Sequence, residues 1–172
     1  MAAPNDTPVP TTAPAPLTDN LCWLLSRASY VLTTELTAAL HDLGLLPRGH
    51  MVLLAAETGA WSQTEIAKMV GLDKTTMVVT MDELEKSGLA ERRLSPTDRR
   101  ARVIVVTKSG TRLLRKADAI FDRIRGDVLS TLPGDQADVL VDALRNLVEN
   151  RLSEPVATAQ PVRRRAPRAA AA

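Results

Sequence analysis

Residues 74–79 read KTTMVV and place an ammonium, two hydroxyls and two isopropyl groups within a few positions of one another. The hydroxyls of Thr75 and Thr76 donate or accept a hydrogen bond. The Lys74 ammonium pairs with an anion, and the branched ends of Val78 and Val79 make apolar contact with a group such as a methyl. A second concentration lies over residues 92–102, where Arg92, Arg93, Arg99, Arg100 and Arg102 stand against Asp98 alone, a net charge of +4. Guanidinium forks suit phosphate, and Asp98 is placed to hold Arg99 or Arg100 in a defined orientation. Other chemistries find no support. His41 and His50 lack a partner at metal-ligand spacing, Cys22 is the single cysteine, and there is no glycine-rich phosphate loop or nucleophile elbow. No metal, no cofactor and no enzymatic activity are expected.

The elements that must carry these residues follow from periodicity and punctuation. Residues 1–16 hold five prolines among Ala and Thr and read as a disordered arm, and residues 153–172, ending PVRRRAPRAAAA, read as a disordered basic tail. Between them, 17–152 is expected to fold, as the 45% apolar composition allows. Apolar residues at Leu21, Leu24, Leu25, Ala28, Leu32, Leu36, Leu40 and Leu43 predict one long helix over 17–43, closed by Gly44. Pro47 suits the first turn of a second helix to about Glu57. Ser62 and Glu65 have capping-box spacing, so a short helix is expected from Ser62 to Gly71. Asp73 then caps another through Ser87, with Met77, Met81 and Leu84 facing inward. LAERRL and RVIVVT are β-type runs joined by the turn formers Ser95, Pro96 and Asp98. Thr107 caps a further long helix, and Pro133 with Gly134 separates it from a last one ending near Leu152.

The predicted order is α-α-α-α-β-β-α-α: mainly α with a small β-hairpin wing (α+β), a winged helix-turn-helix whose lobe covers about 47–106. The flanking helices, 17–43 and 107–152, form a helical dimerisation region. With Met77, Met81 and Leu84 buried, a rotation of about 100° per residue sets Thr75, Val79 and Asp82 on the opposite face, flanked by Thr76 and Val78. That face fits the major groove of double-stranded DNA, and the arginines at the hairpin tip fit a narrow minor groove.

The segment LDKTTMVVTMDELEKSGLAERRLSPTDRRARVIVVTKSG resembles the MarR family of transcriptional regulators, and the likeness extends from about Leu17 to Leu152. It matches that family's recognition helix, its G-L-x-x-R exit, its D-x-R wing and the threonine-glycine start of the next helix. The resemblance implies a homodimer built by the first helix and the last two. It also gives Asp98 the role of orienting an arginine, Arg100 that of entering the minor groove, and Ser62, Gln63, Thr75 and Thr76 contacts with phosphate or bases. Val79 departs from the pattern, since many members carry an arginine there, and no operator sequence carries over. A weaker likeness of LTDNLCWLLSRASY to the organic-hydroperoxide-sensing branch makes Cys22 a redox candidate. Against it, free cysteine commonly fills space in an apolar helix, and the one tyrosine, Tyr30, lies on the first helix rather than the second.

Trp23, Tyr30 and His50 are the candidates for binding a small-molecule effector of phenolic or carboxylate class. The leading expectation is a cytoplasmic, nucleoid-associated repressor that binds a pseudo-palindromic operator as a homodimer and is released by such an effector. A thiol-based repressor using Cys22 is the alternative. A winged helix used only for protein contact is disfavoured by the basic wing, and an enzyme is disfavoured by the short remainder after Leu152. No stretch reaches the roughly 18 apolar residues that a membrane span requires.

Overall fold

Asn20 interrupts what apolar periodicity alone reads as one helix. In the computed structural model, which describes residues 13–95 and 102–156, α1 covers Ala15–Thr18 and α2 covers Leu21–Ala39. Asn20 is extended, and its side chain accepts the Trp23 backbone N–H at 2.9 Å, so the chain starts a new helix there. A 3-10 turn over His41–Leu43 follows, closed by Gly44 with φ 61°. The expected arm over 1–16 is thus entered by α1 at Ala15 and Pro16.

Helix α3 spans Pro47–Glu57, with proline in its first turn as expected. Helix α4 spans Gln63–Met69 behind a complete capping box: the Glu65 N–H reaches Ser62 Oγ at 3.3 Å, and the Ser62 N–H reaches Glu65 Oε2 at 2.8 Å. Gly71, with φ 68°, turns the chain into α5, Lys74–Lys86, capped by Asp73. Strands β1 (Ala90–Leu94) and β2 (Arg102–Val106) pair antiparallel, from Ala90 opposite Val106 to Leu94 opposite Arg102. The segment entering α4 joins this sheet: Ser62 bridges Val103, and the Ile104 N–H donates to the Trp61 carbonyl at 2.9 Å. The hairpin is therefore tied to the helix pair by backbone hydrogen bonds as well as by sequence.

Helix α6 (Lys108–Leu129) begins against the end of α5. Thr107 Oγ1 donates to the Gly88 carbonyl at 2.7 Å and accepts the Gly110 N–H at 3.0 Å. A Cβ at Gly110 would fall 2.0 Å from the Leu89 carbonyl oxygen, so only glycine permits this approach. One core joins the elements, with Leu40, Leu53, Ile66, Met77, Met81, Ile104 and Leu114 almost fully buried.

The chain divides into two compact units after Arg125. The first holds everything up to that point. The second contains the end of α6, a turn at Pro133 and Gly134 (φ 59°), and α7 over Gln136–Glu149. Leu152, expected on the last helix, lies beyond it in a turn. Among the described residues, no helix is long and apolar enough to cross a membrane.

Candidate nucleic-acid interface

Helix α5 has the two faces its sequence predicts. Met77, Thr80, Met81 and Leu84 are buried, whereas Lys74, Thr75, Val78, Val79 and Asp82 are exposed. Asp73 sets where the helix begins: its Oδ1 accepts the Thr76 N–H at 2.9 Å and its Oδ2 accepts the Thr76 hydroxyl at 2.7 Å. These bonds favour the charged carboxylate and hold the Asp73 pKa below its ordinary value. Thr76 is half-buried with its hydroxyl proton committed to the cap, and what it retains toward a ligand is acceptor capacity. Thr75 carries no such commitment to Asp73 through its side chain and stands exposed one position earlier.

Ser62 and Gln63 stand at the start of α4. The Ser62 hydroxyl donates to Glu65 Oε2 at 2.7 Å, and the bonds from its hydroxyl and backbone N–H lower the Glu65 pKa. Gln63 Oε1 accepts from Arg92 Nε at 2.9 Å, which leaves the NH2 group of Gln63 as a donor.

Among the described arginines of the hairpin, Arg92 and Arg93 are paired with acids. Arg92 is about one-fifth exposed and pairs with Asp82 at 2.8 Å and with Glu85, while its backbone N–H donates to Glu85 Oε1 at 2.7 Å. Arg93 pairs with Glu91 on its own strand. Partial burial next to carboxylates turns Arg92 inward, and the positive charge counted for the hairpin is reduced accordingly. Asp98, Arg99 and Arg100 lie outside the described residues.

Two arginines that sequence reasoning did not single out for this purpose grip α5. Arg92 does so from β1. Arg48, on α3, donates through Nε to Thr80 Oγ1 at 3.0 Å and through Nη2 to Glu83 Oε2 at 2.8 Å. The available signal was the acidic run Asp82, Glu83 and Glu85: three carboxylates crowded on the second half of one helix call for cationic partners.

The effector candidates do not come together. Tyr30 is exposed and lines a shallow open groove along α2, with Ser26, Ser29, Thr33, Thr37 and His41 also in its wall, but Trp23 and His50 are not among the lining residues. Trp23 is half-buried. His50 is in the interior, where its Nε2 meets Asp118 Oδ1 at 2.8 Å and its ring stacks on Phe121 at 3.9 Å. Arg115 donates to Asp118 at 3.1 Å and to Glu57 at 2.7 Å, and the hydrogen bond to Asp118 followed by the charge of Glu57 raises the guanidinium pKa. Cys22 is exposed on the first turn of α2 rather than packed.

A family model for the MarR family matches residues 46–101, which run from the start of α3 to the hairpin. CouR from Rhodococcus jostii RHA1, solved bound to p-coumaroyl-CoA, is 32% identical with a TM-score of 0.71, and the match covers 83% of this chain and 98% of that one. The transcriptional repressor CouR bound to a 23-mer DNA duplex is 29% identical over 80% of this chain and 98% of that one, with a TM-score of 0.70. A MarR-family transcriptional regulator from Rhodococcus sp. RHA1 is 32% identical over 76% of this chain and 94% of that one, also with a TM-score of 0.70. A winged helix-turn-helix with this hairpin, matched at that identity over nearly the whole length of those regulators, places the chain in the MarR family of transcriptional regulators.

Proposed function

We propose that the protein is a sequence-specific DNA-binding repressor that acts as a homodimer on a pseudo-palindromic operator, without catalysing a reaction, and leaves it when a small-molecule effector binds. The observation that carries this reading is the outward face of α5. Lys74, Thr75, Val78 and Val79 are exposed on the side opposite the buried Met77, Met81 and Leu84, with a charge, a hydroxyl and two apolar groups where base edges and phosphates would lie. The wing residues Asp98, Arg99 and Arg100 extend the contact to the adjacent minor groove, and Ser62, Gln63 and Thr76 meet phosphate or bases beside them.

A homodimer is supported by the apolar side chains that α2 and α7 leave exposed, among them Leu21, Leu24, Val139, Leu140 and Val148. On this reading, residues 17–43 and 107–152 carry dimerisation, 47–106 carry DNA binding, and the protein works in the cytoplasm at the nucleoid. The two CouR structures, one with DNA and one with a phenolic acyl thioester, support a regulator that exchanges operator for effector. The open, mostly apolar groove along α2 beside Tyr30, with serine and threonine side chains in its wall, is where such a phenolic or carboxylate effector would be received.

Selection of duplexes from fragmented genomic DNA, followed by footprinting and sedimentation, tests the proposal. Two protected half-sites about one helical turn apart, roughly 10 base pairs, bound by a dimer are expected. Arg100→Ala should weaken the selected duplex by about 1 to 3 kcal/mol and leave the melting temperature unchanged. Failure to enrich any sequence would overturn the proposal.

A further inference from the structure

Arg92 is the meeting point of three elements. Its guanidinium gives Nε to Gln63 on α4 at 2.9 Å and Nη2 to Asp82 on α5 at 2.8 Å, and Nη1 goes to Glu85 on α5. Its own backbone N–H, on β1, returns to the second oxygen of Glu85 at 2.7 Å. A guanidinium presents its donors in a rigid plane, so satisfying three acceptors at once fixes their mutual positions. An ammonium, a point charge, would not do this.

The bond to Gln63 also selects one orientation of that amide. Turned over, the carboxamide would oppose its NH2 to the Arg92 Nε–H, donor against donor. The carbonyl oxygen therefore faces Arg92, and both N–H donors remain for an outside acceptor.

We propose that Arg92 is the positioning residue of the DNA-binding surface: without touching DNA, it sets the tilt of α5 against the wing strand and presents the Gln63 NH2 group to a phosphate oxygen. This rests on the DNA-binding reading above. It assigns a working role to Asp82 and Glu85, whose negative charges would otherwise only repel the ligand. In this arrangement the acids favour specific binding because they hold the reading helix in register.

Glu85→Ala separates the joint from simple electrostatics. Removing a negative charge from a surface that faces DNA should tighten binding to every duplex if charge alone matters. The joint predicts the reverse for specific binding. Affinity for a duplex selected by the wild-type protein from a randomised pool should fall about ten-fold, while affinity for a scrambled duplex of equal length stays the same or rises. Arg92→Lys keeps the charge but loses the fork, and should show the same loss of discrimination. Equal tightening on both duplexes by Glu85→Ala, or wild-type discrimination by Arg92→Lys, would overturn the proposal. If the wild type itself does not discriminate between the duplexes, the DNA-binding reading fails. The joint is then judged in the free protein: Glu85→Ala should speed hydrogen exchange of the Arg92 amide and the last turn of α5 about ten-fold while Val52 and Leu53 on α3 keep their rates. Unchanged exchange would overturn it.

Discussion

The two carboxylate oxygens of Asp73 are divided between two protons of Thr76, Oδ1 taking the amide at 2.9 Å and Oδ2 the hydroxyl at 2.7 Å. Glu65 plays a matching part at the start of α4, and hydrogen bonds hold both acids below their ordinary pKa values. A depressed carboxylate pKa contributes stability that is complete above the unfolded value and is lost as pH falls through the folded one. Acid should therefore loosen the starts of α4 and α5. Melting temperature followed from neutral to acid pH should fall less steeply for the double variant Asp73→Asn, Glu65→Gln than for the wild type, because neither amide titrates. Identical acid slopes would show that the caps do not titrate in this way.

The exposed first turn of α5 contains two residues expected to fail differently. Thr75→Ala should relax discrimination at particular base pairs. Lys74→Ala, if the ammonium meets phosphate, should weaken all duplexes alike and flatten the dependence of log affinity on log salt by about one. Titration of single-base variants of the selected duplex at several salt concentrations distinguishes them. A uniform loss in both variants would mean that Thr75 does not read bases.

Gly110→Ala should destabilise the fold by about 1 to 3 kcal/mol, because the new methyl would overlap the Leu89 carbonyl and Val106 where α6 starts against the hairpin. Urea unfolding measures it, and a variant of wild-type stability would mean that α6 moves away at no cost.

Cys22 is accessible, which a peroxide sensor requires, but accessibility alone does not make a thiol reactive. We expect Cys22→Ser to bind the selected duplex and to release it with effector as the wild type does. After treatment with an organic hydroperoxide, release by the wild type alone would make Cys22 the switch.

The parts of this molecule legible in its sequence are those set by neighbours along the chain. The Ser62–Glu65 box, the Asp73 cap, the glycine stops and the buried stripe of α5 are all local, and the structure places them as their spacing predicts. The long-range partners were not legible. Periodicity shows which way Glu83 points, but not that Arg48, thirty-five positions away, comes to meet it. For the same reason a charge count over 92–102 does not show that Arg92 is paired with Glu85, and the sequence around His50 does not show the Asp118 and Phe121 contacts that enclose it. At Asn20 two local signals conflicted, and a side-chain cap overrode an unbroken apolar repeat.

The separation of faces on α5 also bears on how such a regulator diversifies. Thr75, Val78 and Val79 project away from the core that Met77, Met81 and Leu84 build, so substitutions at the outward positions leave the packing of the lobe intact. If those outward positions read the operator as proposed, target preference and folding are inherited as nearly independent traits, and a duplicated copy of the gene drifts toward a new operator through viable intermediates.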